Sequence, residues 1–392
     1  MVRCILFLVD MSDACKKVQR GSGYVTTLRM FSSRTTNTEC DNSQNPFGFH
    51  LSDGTVYTYL KGSEYEDIAA AWDWNLIPGI TTDYAATNLS CGQTQNNGVE
   101  SFVGGVSTGE SGIGAMHYLN PLTETLSWQK AWFFLGNDVQ HIMINSINST
   151  TAAPVFSVLD QRKRVSEILV DGAPIHKPNN FSYASTLWHG NVGYSFLPSN
   201  TDQFWNPRPS TSLSVDFGNR TGNWTSLGIS TQPPPNVDLF SAWLYHDNQS
   251  TPVSYTAFPA TSYRSFTKKL ARRPVTEINN DGIASAVMDN TLQTAMVVFW
   301  GENGGNVTIP GSYPGEAPIH LFSDRGLLII LDKRSWTLTV SEPTQTFINA
   351  EVTLRLGSGW LPRGWGGGKN KTVPIVLPSG GTAGSSVNYT LH

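Results

Sequence analysis

The sequence is poor in charge and has no long apolar segment. Asp, Glu, Lys and Arg make up only 14% of the 392 residues, and the formal net charge is −4. A chain without a basic excess lacks the electrostatic footprint of a nucleic-acid-binding protein, so the sequence predicts no nucleic-acid partner. Because no apolar run reaches the length of about eighteen residues that a membrane helix needs, it also predicts no membrane partner.

Cysteine is scarce as well, and its spacing excludes the common metal sites. The four cysteines all lie in the first quarter of the chain and show no metal-ligand spacing: Cys4, Cys15, Cys40 and Cys91. The sequence therefore predicts no metal site and no cofactor, while leaving open a structural or activating cation. Cys40 and Cys91 either form a disulfide in an oxidising compartment or remain two buried thiols, and the sequence leaves this choice open.

A convincing secretory signal is also absent. The apolar run near the N-terminus covers only residues 4–9 and is broken by Asp10. Nine N-x-S/T sequons nevertheless favour a secreted glycoprotein. They are Asn88, Asn148, Asn180, Asn219, Asn223, Asn248, Asn306, Asn370 and Asn388. We therefore expect an extracellular protein, and the mismatch suggests that its natural start is missing from this chain.

What the sequence does contain is a succession of short apolar runs separated by Gly, Asn, Asp and Pro. β-Branched and aromatic residues dominate these runs, which is typical of strands in an all-β protein. Examples are TVYTYL (55–60), AWFFLG (131–136), HIMINSI (141–147), APVFSVLD (153–160), GYSFL (193–197), TAMVVFW (294–300) and GLLIILD (326–332). The pattern predicts a large antiparallel β-sandwich.

The domain organisation follows from shifts in composition. We place the boundary between the two main domains within residues 265–280, where the basic stretch RSFTKKLARRP occurs. We predict an N-terminal remnant over 1–23, a central β-sandwich over 24–270, a smaller C-terminal β-domain over 271–345 and a loop-rich tail over 346–392.

The stretch GSEYEDIAAAWDWNLIPG, residues 62–79, concentrates carboxylates and tryptophans. On a strand, Trp72 and Trp74 would share one face, because successive side chains alternate. Such a pair either forms a platform on which sugar rings stack or fills the sandwich core. Glu64, Glu66 and Asp67 either project into a cleft or lie in a solvated turn.

A second candidate site surrounds Arg34. The guanidinium lies among hydroxyl residues and is followed by Asn37, Asn42 and Asn45. This combination suits a uronate, because the planar guanidinium binds a carboxylate with two hydrogen bonds. The alternative is an arginine paired with a neighbouring acidic residue.

Several of these stretches together resemble polysaccharide lyase family 8, which includes the hyaluronate, chondroitin AC and xanthan lyases. The resemblance rests on the order and spacing of motifs over about residues 24–345. They include SSRTTN (32–37), SDGTVYTYL (52–60), GSEYEDIAAAWDWNLIPGITT (62–82) and SWQKAWFFLGNDVQHIMINSI (127–147). The resemblance implies a supersandwich of the galactose-mutarotase type, followed by a smaller C-terminal β-sandwich.

The resemblance also implies that the catalytic residues lie mainly outside the β-portion. In the family, an α/α helical toroid in front of the β-portion carries the catalytic Asn, His and Tyr. This sequence lacks those motifs, so we expect the toroid to be missing from this chain. The implied function is that of the β-portion of a secreted lyase that cleaves uronate-containing polysaccharide by β-elimination, with the toroid as partner domain and an acidic polysaccharide as substrate. The chain alone is expected to be inactive.

The same resemblance assigns residues. The chondroitin AC branch has a glutamate near the start of the β-portion and an asparagine three residues later. Glu64 is matched to that glutamate in a supporting catalytic role, although position 67 is an aspartate. Arg34 matches a cleft arginine of the hyaluronate branch. The expected substrate-binding residues are Arg34, Asn37, Asn45, Asp67, Trp72 and Trp74.

Two other functions remain open at this stage. One is a non-catalytic carbohydrate-binding β-sandwich protein. The other is a β-sandwich glycoside hydrolase, which would need two carboxylates such as Glu64 and Asp73 on either side of a sugar.

Overall fold

A computed structural model describes residues 5–7, 16–196 and 212–391 of the chain. These residues form 28 β-strands and one α-helix. The strands are β1 Ile5–Phe7, β2 Lys16–Gly21, β3 Tyr24–Arg29, β4 Thr55–Tyr59, β5 Thr81–Asp83, β6 Val103–Ser107, β7 Gly112–Leu119, β8 Leu126–Leu135, β9 Val139–Ser149, β10 Val155–Lys163, β11 Ile168–Val170, β12 Ala173–Pro174, β13 Asn179–Phe181, β14 Thr186–His189, β15 Val192–Ser195, β16 Ser212–Thr221, β17 Asn236–Tyr245, β18 Val253–Phe258, β19 Val275–Asn280, β20 Ala284–Asp289, β21 Thr294–Phe299, β22 Gly305–Ile309, β23 Ile319–Ser323, β24 Leu328–Asp332, β25 Thr337–Ser341, β26 Asn349–Leu356, β27 Asn370–Val376 and β28 Val387–Thr390. The helix, α1, spans Tyr263–Ala271, and short 3-10 turns lie at Gly48–His50, Ala69–Ala71, Cys91–Gln93, Trp224–Ser226 and Gly380–Thr382.

The predicted all-β class is confirmed. Each of the seven apolar runs quoted above overlaps a strand, namely β4, β8, β9, β10, β15, β21 and β24. The strands pair antiparallel within five sheets.

A nine-stranded sheet forms the centre of the molecule, in the order β12-β11-β14-β15-β18-β9-β8-β7-β6. Its middle strands are buried on both faces. In β8, Trp132 and Phe134 point to one core, whereas Phe133 and Leu135 point to a second core on the other face. This explains why β8 is an unbroken apolar run in the sequence rather than an alternating one.

Two sheets cover the first face of the nine-stranded sheet. One is four-stranded, β1-β2-β3-β4, and the other is five-stranded, β13-β16-β17-β10-β5. Leu28 and Met30 come from β3 and the residue just after it, while Val215 and Phe240 come from the five-stranded sheet, and all four pack into the same core. The central β-sandwich therefore consists of these three sheets.

A six-stranded sheet, β19-β20-β21-β24-β25-β28, covers the second face. Met296 and Val298 of β21 join Phe133 in the shared core. The opposite face of this sheet packs against a four-stranded sheet, β22-β23-β26-β27, through residues such as Val297, Leu321 and Leu354. The molecule is thus a stack of four layers, and the predicted fold class of a large sandwich followed by a smaller one is confirmed.

Two details differ from the sequence-based expectations. The basic stretch near residue 265 belongs to helix α1, which Ser262 caps by accepting from the backbone N–H of Ser265 and which buries Phe266. The residues expected to form a loop-rich tail contribute strands β26, β27 and β28. Their apolar residues alternate, as in the buried Val352 and Leu354, and this alternation was the available signal.

Candidate functional site

The stretch 62–79 does not form the strand on which the tryptophan-platform hypothesis relied. Ala69–Ala71 form a 3-10 turn, and Trp72–Trp74 follow in irregular backbone. The two indole rings lie 5.5 Å apart but are inclined by 73°, so the expectation of a shared strand face is wrong. Both rings are half-buried and pack against a small apolar cluster that contains Leu76 and Ile77. The turn at Gly79 is fixed sterically, because its φ is +87° and an added Cβ would meet the backbone nitrogen of Val56 at 2.6 Å.

Tertiary structure brings other aromatic rings to this place. Trp72 stacks on Tyr57 with an interplanar angle of 12°, and Tyr65 makes edge contacts with Tyr57 and Tyr59. Each of the rings is half-buried. We call the set the aromatic strip, and its members are Phe47, Tyr57, Tyr59, Tyr65, Trp72 and Trp74.

Hydrogen bonds attach the loop that carries Trp72 and Trp74 to the five-stranded sheet. Gln161 of β10 accepts from the backbone N–H of Asp73 and donates to the carbonyl oxygens of Asp73 and Leu76, each at 2.9 Å. The Asp73 carboxylate accepts the hydroxyl of Tyr84 at 2.6 Å. Asp73 therefore organises the loop, and burial together with this bond raises the pKa of Tyr84 to about 12.

A groove of about 320 Å³ lies between this loop and the outer face of the five-stranded sheet. Its chemistry is mixed: Trp72 and Phe217 are apolar, Gln161 is an amide, and Asp216 and Arg220 form an ion pair at the rim. The volume falls within the range of small-ligand sites. An aromatic wall with a few hydrogen-bonding groups can hold a sugar ring, and a guanidinium can meet a carboxylate.

A buried polar network supports the strip from below. The Tyr65 hydroxyl donates to Asp160 at 3.0 Å, and Asp160 pairs with Arg162 at 2.7 Å. Both members of the ion pair are only 2% exposed. Burial raises the pKa of Asp160, and Arg162 acts in the opposite direction by favouring the carboxylate. Tyr194 also donates to Asp160, so the network is tied to the nine-stranded sheet.

Glu64 lies in a turn, not facing open solvent. It is 8% exposed, and its carboxylate accepts the backbone N–H groups of Leu60, Lys61 and Gly62. Burial acts to raise its pKa, but the backbone hydrogen bonds outweigh burial and lower it. Glu64 is therefore ionised at neutral pH and holds the turn, and its supporting catalytic role remains a prediction.

Arg34 also makes structural contacts. Its terminal nitrogens donate to four backbone carbonyls, those of Ser101, Val103, Pro343 and Thr344, at 3.0–3.2 Å. These bonds use the terminal N–H groups of the guanidinium that would otherwise donate to a substrate carboxylate. The cleft-lining role of Arg34 stays a prediction, and the contacts show that substrate binding would require breaking some of these bonds.

The asparagines and the aspartate fall into two environments. Asn37 is fully buried and binds the carbonyl of Phe49 and the backbone N–H of Thr38. Asn45 donates to the hydroxyl of Thr38 and to the carbonyl of Glu39. Asp67 is exposed, with φ of +56°. The first two shape the loop after β3, whereas Asp67 is accessible at the turn before the aromatic strip.

The same loop contains a second match to the glutamate and asparagine of the chondroitin AC branch, which the sequence-based assignment did not use, although it named Asn42 among the asparagines after Arg34. Glu39 and Asn42 show the Glu-x-x-Asn spacing without the departure seen at position 67, and both are exposed. Glu39 is close enough to Arg29 to favour the charged form of that guanidinium, although burial is the larger effect and lowers the pKa of Arg29. The spacing itself was the signal that could have found them.

A disulfide fixes this loop to the next. Cys40 and Cys91 are bonded, with their Cα atoms 5.3 Å apart. The structure thus selects the disulfide from the two alternatives left open by the sequence. Among the described residues there is no cluster of three or more His, Cys, Asp or Glu side chains suited to a metal ion. Across the same ranges, no helix is long and apolar enough to cross a membrane.

The fold and the site together define a class of protein: a layered β-sandwich with a groove of aromatic and polar side chains on its outer sheet. The sequence pattern of the polysaccharide lyase family 8 super-sandwich domain matches residues 13–270. The pattern of the C-terminal beta-sandwich domain of that family matches residues 278–351. The chain therefore belongs to polysaccharide lyase family 8.

Individual relatives agree with this. The chain is 24% identical to a chondroitinase-AC of Pedobacter heparinus over 377 residues, which cover 93% of this chain and 49% of the relative. It is 24% identical to a hyaluronate lyase of Enterococcus faecalis, covering 86% of this chain and 34% of the relative. A solved chondroitinase AC lyase has the same fold, with a TM-score of 0.82 and 23% identity, over 96% of this chain and 52% of that one. The chain thus spans about half of the length of the chondroitinase relatives and about a third of the hyaluronate lyase.

Proposed function

We propose that this chain is the β-portion of a lyase that cleaves a uronate-containing polysaccharide by β-elimination. In that reaction a base removes the C5 proton, the C4–O4 bond breaks, a C4–C5 double bond forms and the leaving oxygen is protonated. Carbohydrate binds along the aromatic strip and in the adjoining groove. The observation that carries the proposal is this groove, in which Trp72, Phe217 and Arg220 meet in a chain of the lyase family.

The catalytic groups are divided between two domains in this proposal. A helical toroid supplies the base, the proton donor and the group that neutralises the uronate carboxylate. The support for this partner is that the chain covers only 49% of the chondroitinase-AC relative. The β-portion contributes a supporting carboxylate, for which Glu39 is exposed and Glu64 is held in a turn.

Substrate contacts in this proposal come from accessible groups. Trp72 and Trp74 offer aromatic faces, Asp67 and Asn42 offer polar groups at the loops, and Arg220 offers a cation at the groove rim. Arg34, Asn37 and Asn45 contribute by holding the loops in position. Stacking orients the sugar rings, and the polar groups select among them.

The proposal includes an extracellular, glycosylated protein. The asparagines of all nine sequons are exposed in the structure, and a disulfide joins Cys40 to Cys91. Exposed sequons are accessible to glycosylation, and disulfides persist in oxidising compartments. A shift in mass on endoglycosidase treatment, after secretion from a eukaryotic host, would test this part.

Binding should be measured by affinity electrophoresis in gels that contain chondroitin, hyaluronan or xanthan, with neutral dextran as the reference. We expect retardation by an acidic polymer, and Trp72→Ala should reduce it about tenfold in affinity, because a well-packed aromatic contact contributes about 1–2 kcal/mol. Trp188→Ala is the matched control, since Trp188 is also half-buried but packs against helix α1 through Tyr263.

Activity should be followed by the absorbance of unsaturated uronate products. We expect only a trace rate from this chain alone, and a rate comparable to that of a complete lyase would refute the division of catalytic groups. If acidic polymers retard Trp72→Ala as strongly as the parent chain, the groove is not the binding site. Retardation by dextran as strong as by acidic polymers would instead favour a general carbohydrate-binding protein.

A further inference from the structure

Trp360 is the most exposed tryptophan of the described chain. It is 61% exposed, whereas the other described tryptophans are buried or half-buried. It lies in the segment between β26 and β27, in the outer four-stranded sheet region of the C-terminal sandwich. A single exposed aromatic side chain is ordinary, but one that lies with other exposed apolar side chains marks a candidate contact surface.

Backbone hydrogen bonds hold the segment that carries Trp360 in place. The backbone N–H of Trp360 donates to the carbonyl of Gly315, and its own carbonyl accepts from Ala317, both at 3.0 Å. The ring lies against Gly315, whose added Cβ would meet ring atoms at 3.4 Å. Farther along, Trp365 is buried and packs edge-on against Trp336 at 4.9 Å. Trp360 is therefore presented outward by an anchored segment.

Two further apolar side chains are exposed beside it. Leu361 is 57% exposed, and Tyr313, on the facing loop that ends at Glu316, is 69% exposed. The bridge between Glu316 and Trp360 holds the two loops side by side. We call Tyr313, Trp360 and Leu361 the C-terminal patch.

Exposed cations lie in and beside the segment that carries Trp360, between the end of β26 and the start of β27. Arg355, Arg363 and Lys369 are exposed, and within the described ranges none of them makes an ion pair or a side-chain hydrogen bond. Residues 346–391 contain four Lys or Arg residues against a single acid, Glu351, although the whole chain is acidic. An exposed aromatic group among unpaired cations complements a ligand that has apolar faces and negative charge.

We propose that the C-terminal patch is a second binding site for acidic polysaccharide, separate from the groove at the aromatic strip. This inference rests on the proposed function for one point only, namely that the polymer is an acidic polysaccharide. Trp360 and Tyr313 stack on sugar rings, and Arg363 and Lys369 bind the carboxylates or sulfates of the polymer. The site holds the polymer on the enzyme and takes no part in the bond cleavage.

The two sites are far apart. The groove lies on the outer face of the five-stranded sheet, whereas the patch belongs to the four-stranded sheet at the other end of the stack. Three sheet-to-sheet spacings of about 10 Å separate these layers, so the sites lie roughly 30 Å apart. A long polymer that occupies both sites gains affinity because the second contact is intramolecular, whereas a short oligosaccharide occupies one at a time.

The test uses the whole chain with hyaluronan of high and low molecular mass, and dextran as the neutral control. Trp360→Ala and the double change Arg363→Ala/Lys369→Ala should each weaken binding of the long polymer by about tenfold or less, as expected for loss of one aromatic or two exposed ionic contacts. The loss from the double variant should shrink at high salt, because exposed charges are screened. Leu122→Ala and Lys268→Ala/Arg272→Ala are controls that remove exposed apolar and cationic groups elsewhere on the chain.

The outcomes separate this inference from the proposed function. If Trp72→Ala abolishes binding and the patch variants bind like the parent, the second site is refuted and the groove stands. If only the patch variants lose binding, the second site stands and the groove fails. A change in sedimentation of Trp360→Ala, with no change in polysaccharide binding, would show that the patch is a contact between copies of the chain and would overturn the inference.

Discussion

Arg34 donates to the carbonyl oxygen of Pro343 at 3.1 Å, across 309 positions of sequence. The same guanidinium binds the carbonyls of Ser101 and Val103, at the start of β6. One side chain thus joins the loop after β3, the nine-stranded sheet and the segment that follows β25. A planar fork with several donors is suited to this role, and a lysine could not reproduce it.

Arg34→Met should therefore destabilise the fold. The change leaves four carbonyls without their donor, and we expect the free energy of unfolding to fall by about 2–4 kcal/mol. Urea denaturation measures this, with Arg272→Met as a control at an exposed position. A variant that keeps its stability but loses polysaccharide binding would support the cleft-lining role instead.

Asp160 and Arg162 should be coupled energetically. Removing one member of a buried ion pair leaves the other charge uncompensated, so Arg162→Met should cost about 3–5 kcal/mol. The double variant Asp160→Asn/Arg162→Met should recover part of that loss, because neither residue then carries a charge. A double-mutant cycle by denaturation measures the coupling, and strictly additive effects would contradict it.

Lys130 should make stability rise with pH above neutrality. Its amino group is buried, donates to the carbonyl of Gly79 at 2.7 Å, and burial lowers its pKa to about 7 from 10.5. Between these values the unfolded chain holds a proton that the folded chain has released, so the unfolding free energy increases with pH by at most about 1.4 kcal/mol per unit. Lys130→Met should flatten the dependence between pH 7 and 9, whereas Lys268→Met should not.

His189 and His246 should make the protein sensitive to acid. Burial lowers the pKa of each to about 3, with Arg162 adding to the effect at His189 and Lys130 at His246. Below pH 6.5 the unfolded chain binds protons that the folded chain excludes, so stability is lost as the pH falls towards 3. Thermal unfolding from pH 7 to 4 should show this fall. His189→Phe, which keeps the contact with Phe240, should reduce the slope, and His176→Phe should leave it unchanged.

Glu39 and Glu64 should respond differently to the loss of charge. Glu64→Gln weakens the acceptor for three backbone N–H groups and should lower the unfolding free energy by about 1–2 kcal/mol. Glu39→Gln is at an exposed position and should leave stability unchanged. In a protein that carries both the helical and β-portions, product absorbance then shows which carboxylate supports turnover. A larger loss of turnover in Glu64→Gln, at unchanged stability, would support the predicted catalytic role of Glu64.

Local patterns predicted much of the fold. The runs at β8, β9 and β24 were visible as strands because β-branched and aromatic residues favour a pleated, half-buried surface. Motif order identified the family. Helix α1 was not predicted. It is short and rich in basic residues, and only one of its residues, Phe266, is buried, so its amphipathic pattern is weak in the sequence.

The site depended much more on tertiary structure. The sequence placed Trp72 and Trp74 together, but it could not show that Tyr57 of β4 stacks on Trp72 or that Phe217 of β16 closes the groove. These partners are far apart in the chain, and their meeting depends on how sheets pack. The sequence likewise offered Arg34 and Glu64 as charged groups near a cleft.

What the sequence alone determined is the all-β class, which follows from composition and local periodicity, and the family, which follows from the order of motifs. It also showed the set of aromatic and acidic residues near position 62. Only the tertiary structure decided which charges are free. Arg34 and Glu64 are bound to backbone groups, whereas Arg363 and Glu39 are exposed. The reason is that a charged group takes whichever partners the folded backbone brings within hydrogen-bond reach, and those partners are set by contacts between distant segments.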